Sequence, residues 1–478
     1  MQPSSPNLPG VHTLEDARVV IKALWEIAQG VSTLQAQVTH LAAENTALTA
    51  RVQELEQENA ALRADNDKTN PPSWVKPDRK KRRRRKTGAK KGHKPAKRTC
   101  PEFPDQEPDY PLDDCPECQG PLGDFVDIKT HTDIEIPTVK PIIRKHTFYR
   151  YWCPCCKRLV RTKTAPVVPR SLYGPRFHAF VAWCKFGLGL TLGKIQALLS
   201  ERYEMQVSTG VLSEMLSRTG KRLKAAYDAL VASLAQQAVL YADESGWRVE
   251  GKNHYLWVFT NDDVAVFHID RSRGSQVLVE ILGSTFDGVL CSDFYSAYNV
   301  LGGPKQKCLV HFLRDLRTLR EKDESSEAQA FSRALIAVFK GVFSLHRRRS
   351  DVSIAAFQKQ YKRLRTRLLN LARAYRNSEH ADCQRLAKRV LKHRQELLVC
   401  LEVEGVEPGN NFAEQQVRPA VLMRKTSYGN RSERGQRVQE IVMSLIQTCR
   451  KRSVDFVEWA TEALTAPEPP PLPQRVPG

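Results

Sequence analysis

Nowhere in the 478 residues is there a run of about 18 uncharged apolar residues, the length a membrane-crossing helix needs. The best candidate, Phe177 to Leu199, is interrupted by Lys185 and Lys194. The first ten residues also lack the basic and apolar regions of a secretory signal, so the expectation is a soluble intracellular chain with no membrane partner. In that setting twelve cysteines are not a disulfide framework, and their clustering points to metal. Acid is scarce as well: 53 Asp and Glu stand against 74 Lys and Arg, a net charge of +21. With 41 % hydrophobic residues, the chain is long enough for several folded domains and is expected to meet a polyanion.

The basic excess is concentrated in two places. Lys76 to Arg98 holds 14 basic residues and one acid, and Phe312 to Leu401 holds 21 basic and 9 acidic. The rest of the chain is slightly acidic. Ahead of the first cluster, residues 11–66 carry a heptad seam. Val31, Val38 and Val52 occupy a positions, and Leu34, Leu41, Leu48, Leu55 and Leu62 occupy d positions. That combination favours a parallel two-stranded coiled coil, and Asn45 and Asn59 at a positions would fix its register. A homodimer is expected from this leucine zipper. Residues 70–99 follow as a linker expected to be disordered, with the run Arg79, Lys80, Lys81, Arg82, Arg83, Arg84, Arg85 and Lys86 available to contact DNA phosphates. The order of zipper and basic run is opposite to that of a basic-leucine-zipper factor.

Residues 100–165 contain Cys115-Pro-Glu-Cys118 and Cys153-Pro-Cys-Cys156. Two C-x-x-C knuckles joined by a spacer that reads as strands (Phe125 to Ile136, Ile142 to Trp152) supply four thiolates for a structural Zn²⁺ in a zinc-ribbon-like region. Cys155 and Cys100 are further thiols nearby. Residues 170–235 are read as a helix-turn-helix: a helix from Leu192 to Tyr203, then a second one capped by Ser208.

From Val239 the texture changes to β-type runs: Val239 to Asp243, Tyr255 to Phe259 and Val264 to Ile269. A short helix (Ser275 to Leu282) follows, then a fourth strand, Gly288 to Asp293. Cys308-Leu-Val-His311 is read as a fifth. This is the order of an α/β RNase H-like core. Its first part is 236–311, an α-helical insertion covers 312–404, and a second part with C-terminal helices covers 405–465. Asp243 and Asp293 end adjacent central strands, where close carboxylates call for a divalent cation. A helix capped by Asn410 or Asn411 places Glu414 in its first turn. Glu244 is expected to face away from Asp243. Cys308 and His311 form a ligand-like pair lacking further ligands, so His311 is given a structural or DNA-contacting role. The Pro-rich tail, 466–478, is expected to be disordered.

These segments resemble the insertion-sequence-66 (IS66) family of DDE transposases, TnpC type. The resemblance rests on Tyr241-Ala-Asp-Glu-Ser, Tyr255-Leu-Trp-Val, Ser292-Asp-Phe-Tyr-Ser-Ala-Tyr298, Cys308-Leu-Val-His311, Asn410-Asn-Phe-Ala-Glu414, Arg418-Pro419 and Arg424-Lys425, in the same order of parts. Ser245 departs mildly from the family's usual Thr. The resemblance implies a Mg²⁺ (or Mn²⁺) triad of Asp243, Asp293 and Glu414 that hydrolyses and transfers DNA strands at terminal inverted repeats. It also implies DNA contacts from Arg418, Arg424 and Lys425, companion element-encoded proteins as partners, and a nucleoid-associated place in a bacterial cytoplasm. The competing expectations are a non-catalytic, sequence-specific DNA-binding regulator with a decayed core, and a repair or junction nuclease.

Overall fold

The computed structural model describes residues 13–66, 103, 105–123, 127, 129–161 and 167–474. The basic run Arg79 to Lys86 and Cys100 lie outside the described residues, as do the side chains of Asn59 and Leu62. The chain forms two compact units, Met1–Asp133 and Ile134–Gly478.

In the first unit, helix α1 (Leu14–Asn66) runs 53 residues without a break. Thr13 starts it with a reciprocal cap, its N–H donating to Asp16 Oδ2 (3.0 Å) while Asp16 N–H donates back to its hydroxyl (3.3 Å). Val31, Leu34, Val38, Leu41, Leu48, Val52 and Leu55 are all exposed along it.

The second unit opens with a hairpin of β1 (Arg150–Cys153) and β2 (Arg158–Arg161). The strands expected across Ile136 and from Ile142 are absent among the described residues: 129–149 hold no strand before Arg150. Ile134, Ile136, Ile142 and Ile143 alternate in part but are exposed, and without a neighbouring strand their backbone groups have no ladder to join. Three helices follow, α2 (Pro175–Ala182, continued by a π turn over Trp183–Gly187), α3 (Leu192–Tyr203) and α4 (Thr209–Ala232). Ser208 caps α4, accepting the Val211 N–H as its sequence position suggests.

A mixed sheet holds the centre. Strands β3 (Val239–Val249), β4 (Lys252–Thr260) and β5 (Ala265–Asp270) form an antiparallel meander. After α5 (Gln276–Leu282), β6 (Val289–Ser292) pairs parallel with β3, and β7 (Lys305–Lys307) parallel with β6. The order is β5-β4-β3-β6-β7. The fifth strand thus ends before Cys308, correcting the sequence reading: Cys308 caps α6 (Leu309–Lys322), and Leu309, Phe312, Leu313 and Leu316 bury one face of that helix. A four-residue apolar run fits either period, and here the helical spacing beyond it wins. Four more helices complete the insertion: α7 (Ser326–Arg347), α8 (Ile354–Ala374), α9 (Ala381–Lys392) and α10 (Val399–Glu402). By length and composition α7 could cross a membrane, but Phe331, Leu335, Val338, Phe339 and Val342 are buried in the protein core. Helices α11 (Asn411–Ser427), α12 (Glu433–Lys451) and α13 (Phe456–Thr465) end the fold.

The sheet separates two cores. Leu240, Ala242 and Leu290 face one that includes α2, α3, α4, α12 and α13. Tyr241, Val289 and Cys291 face the other, built by α6 to α10. Helix α12 lies against β5 through a stripe spaced four residues apart. Thr448 Oγ1, Ser444 Oγ and Glu440 Oε1 accept the N–H groups of Ala265 (3.1 Å), Phe267 (2.8 Å) and Ile269 (2.6 Å), and Gln436 Nε2 donates to Ile269 O (2.6 Å). The tail is not wholly loose, contrary to the expectation of disorder. Arg222 holds Pro467 O (3.1 Å), Arg452 holds Pro473 O (3.2 Å), and Leu472 packs on the first core. Guanidinium groups find the outward carbonyls of an extended proline segment.

Candidate functional site

The parallel register of β3 and β6 sets Tyr241 opposite Cys291. Two residues further, Asp243 lies within β3, which continues to Val249 instead of ending at Asp243 as the sequence suggests, while Asp293 directly follows the C-terminal end of β6, on the side whose alternate residues line the insertion core. Glu414 reaches the same place from the first turn of α11. Asn410 precedes that helix without capping it by its side chain. Instead its Nδ2 donates to Ala242 O (2.8 Å) and its N–H to Cys308 Sγ (3.2 Å). Tyr241 stacks on Phe412 (4.7 Å) and accepts the Glu407 N–H (2.9 Å), while Leu309 N–H donates to Pro408 O (2.9 Å). A segment more than 160 residues distant in sequence is thereby fastened to the strand that carries Asp243.

The carboxylates influence each other. Burial pushes the Asp243 carboxyl up to about 7, and the negative charges of Glu244, Asp293 and Glu414 add to it against one hydrogen bond from the Glu244 N–H. Glu244 itself is committed elsewhere. Its side chain is 2 % exposed, paired with Arg273 Nη2 (2.7 Å) and the Tyr298 hydroxyl. Arg273 in turn lies over the Tyr295 ring (4.1 Å). Asp293 accepts the Tyr295 N–H (2.8 Å) in a tight turn. Behind it Lys307, buried on β7, donates to Ser292 Oγ (3.1 Å). Burial lowers its ammonium to about 8, partly offset by Glu396 and Asp293.

Cys308 Sγ, His311 and Glu414 form a second grouping, their ligand atoms all within 4.8 Å of one another. His311 Nδ1 and Glu414 Oε1 are 3.7 Å apart, and neither of these buried atoms has a hydrogen-bond partner. The pair that looked incomplete in sequence gains its third member from α11.

Around the site, Arg418 and Lys425 are exposed on α11. Arg424 turns inward, its guanidinium held by Ser245 Oγ (3.3 Å) and Gly246 O. The two cysteine knuckles are built alike. Cys115 accepts backbone hydrogen bonds that pull its thiol down, chiefly from Cys118, and Cys153 is treated the same way, chiefly by Cys156. The next residue, Gln119 or Lys157, adopts positive φ (56° and 47°) in each. Such knuckles lower thiol pKa values and present sulfur as metal ligands do, which suits them to zinc. Cys155 is exposed beside its neighbours.

The sequence reading passed over Lys307, Arg273 and the bridging role of Asn410. Lys307 adjoins the Cys308 motif and Tyr298 closes the Asp293 motif, so both stood next to recognised residues, but only the fold shows what they touch.

Residues 170–438 match the family described as "Transposase IS66 family", and residues 113–157, spanning both knuckles, match the "zinc-finger binding domain of transposase IS66". Three uncharacterized proteins of Sinorhizobium fredii (strain NBRC 101917 / NGR234) are similar. The protein y4qI is 24 % identical over 63 % of this chain and 61 % of its own length. For y4jD the figures are 25 %, 73 % and 74 %, and for y4hP 22 %, 72 % and 68 %. The chain therefore covers less than two thirds of y4qI. With its central match running from the helices before the sheet to the start of α12, and a zinc-finger domain ahead of it, the chain belongs to the IS66 transposase family.

Proposed function

We propose that the protein is a DDE-type DNA transposase that binds the terminal inverted repeats of its element and hydrolyses and transfers DNA strands there. The observation that carries the reading is that Asp293 and Glu414 lie near enough to Asp243 for their charges to add to the effect of burial and of Glu244, which together raise the Asp243 carboxyl to about 7. Like charges gathered this closely suit a divalent cation, and all-oxygen donors suit Mg²⁺ or Mn²⁺. These three residues would hold it; when bound it would polarise the phosphodiester and lower the pKa of attacking water or a 3′-hydroxyl. Asn410 keeps Glu414 beside β3, and Lys307 supports the Asp293 strand end. A meander followed by two parallel strands, with one carboxylate within the first strand and one just past the fourth, supports an RNase H-like reading of the core.

The other parts fit DNA handling. Helices α3 and α4 are read as a helix-turn-helix, and Cys115, Cys118, Cys153 and Cys156 as the ligands of one structural zinc. Residues 79–86, Arg418, Lys425 and the insertion would neutralise phosphates, whereas Arg424 serves chiefly to hold β3. The exposed seam of α1 supports a homodimer able to hold two element ends. A bacterial, nucleoid-associated location and companion element-encoded proteins complete the reading.

The test is a purified end-cleavage and strand-joining assay in Mg²⁺ with a DNA carrying the element's ends. Wild type should cut and join; Asp243→Asn, Asp293→Asn and Glu414→Gln should bind the same DNA without doing either. Binding without chemistry by wild type would favour the regulator, and cutting without joining the nuclease.

A further inference from the structure

Cys308, His311 and Glu414 come from the cap of α6, its first turn and the first turn of α11, two helix starts joined through the Asn410 N–H on Cys308 Sγ. We infer that these three side chains form a second metal site, distinct from the zinc finger, that takes a thiophilic divalent ion such as Zn²⁺ and shares Glu414 with the carboxylate triad. The inference deepens the transposase reading, because it gives Glu414 two partners, but its chemistry stands on the donors alone.

Geometry separates this from a hydrogen-bonded cluster. His311 Nδ1 and Glu414 Oε1 are 3.7 Å apart, too far for a hydrogen bond, and both are buried without any other partner. Each orphaned atom carries a desolvation cost that a shared ion would remove. Ligands 2.0–2.3 Å from a tetrahedral zinc lie roughly 3.3–3.6 Å from one another. The observed limit of 4.8 Å among the three donor atoms needs only a small inward adjustment to reach that spacing. Thiolate, imidazole and carboxylate together favour Zn²⁺ over Mg²⁺, which is held by oxygen alone.

Three protein ligands leave one position open, the pattern of a zinc that also takes water or substrate. Glu414 has a second carboxylate oxygen, so Oε1 can serve this ion while the other oxygen serves the triad. An ion bound here would fix the rotamer of the residue that the cleavage chemistry needs most in place. His311 then acts by positioning Glu414.

The full-length chain, stripped, reloaded with a small excess of Co²⁺ or Zn²⁺ and freed of unbound metal, should hold two equivalents of thiolate-bound metal. Cys118→Ser should remove one and His311→Ala the other, with additive loss in the double variant. His311 is partly exposed, so the metal-free His311→Ala chain should melt at the same temperature as the metal-free wild type, and Cys308→Ser gives a second, independent loss of the same equivalent. In the cobalt form the lost equivalent should take with it a thiolate-to-cobalt charge-transfer band that survives Asp243→Asn. A wild-type chain holding one equivalent, all of it abolished by Cys118→Ser, overturns the site and leaves the triad untouched. Two equivalents that respond as stated, in a protein that neither cuts nor joins DNA, would sustain the site and overturn the transposase reading instead.

Discussion

Helix α1 and the sheet carry equally regular apolar patterns and use them in opposite ways. Along α1 the a and d residues stand in solvent; in the sheet, Tyr241 and Ala242 point to two different cores and both are buried. A period of 3.5 on one long helix cannot bury itself, because a single helix has no second surface to fold against. A period of two in a central strand is satisfied at once by layers on both faces. One pattern stays exposed; the other closes between two layers.

The contrast can be broken at several points, and the largest effect is expected at the closed region's polar end. Asp243→Asn should lower strand cleavage by at least about 1,000-fold, since metal-centred charge stabilisation is worth several kcal/mol. Gel-based end cleavage measures it, and near-wild-type rates would remove Asp243 from the site. Next is the core itself. Phe339, fully buried and edge-on to Phe312 (5.3 Å), should cost about 3–5 kcal/mol of unfolding free energy when truncated to alanine.

A smaller effect is expected from Glu440, pushed up to about 7 by burial, the Ile269 N–H it accepts opposing that rise. His268 Nδ1 faces it at 3.6 Å, and burial pulls that imidazole down, against the nearby charges of Asp270 and Glu280. The folded state therefore holds the Glu440 proton more tightly than the unfolded chain does. Its contribution is complete below the ordinary glutamate value of 4.5 and is lost as pH rises through about 7, on the order of 2–3 kcal/mol in all. Thermal unfolding across pH 4 to 8 should show this slope in wild type and a shallower one in Glu440→Gln, the remainder belonging to Asp243, which is raised to the same range. An unchanged slope would place the titration elsewhere.

The smallest effect sharpens the comparison most. Leu41→Ala should move the unfolding of the sheet-bearing unit by less than about 0.5 kcal/mol, while sedimentation shows a weaker dimer. A loss matching that of Phe339→Ala would mean α1 is covered by its own chain.

Much of this was legible beforehand, and the reason differs by region. The helix 192–203 and the Ser208 cap were readable because capping and apolar spacing are local signals. Asp293 was readable because a strand end fixes where its side chain emerges, whereas Asp243 was placed at a strand end that in fact lies at Val249, and only the alternation of the strand put it on the right face. Of the strands expected in the spacer after Cys118, only the end of the second, from Arg150, is present among the described residues, since the alternation before it has no partner strand. Cys308 to His311 was misread because four apolar-flanked residues fit two periods. Lys307 and the Asn410 bridge were hidden for a third reason: a buried ammonium and a side-chain amide find their partners across more than a dozen and more than 160 residues, a separation no local pattern records.

The α12 stripe has a consequence for how the chain survives its own synthesis and turnover. β5 is the outermost strand on its side, and an outer strand with open N–H groups is a template on which a second molecule can build. Here Glu440, Ser444 and Thr448 occupy those donors, so polymerisation along that border is blocked by side chains made after the sheet is complete. Until α12 docks, the nascent sheet is exposed to self-templating. A chain cut before residue 433 would keep every proposed triad residue and still be expected to precipitate.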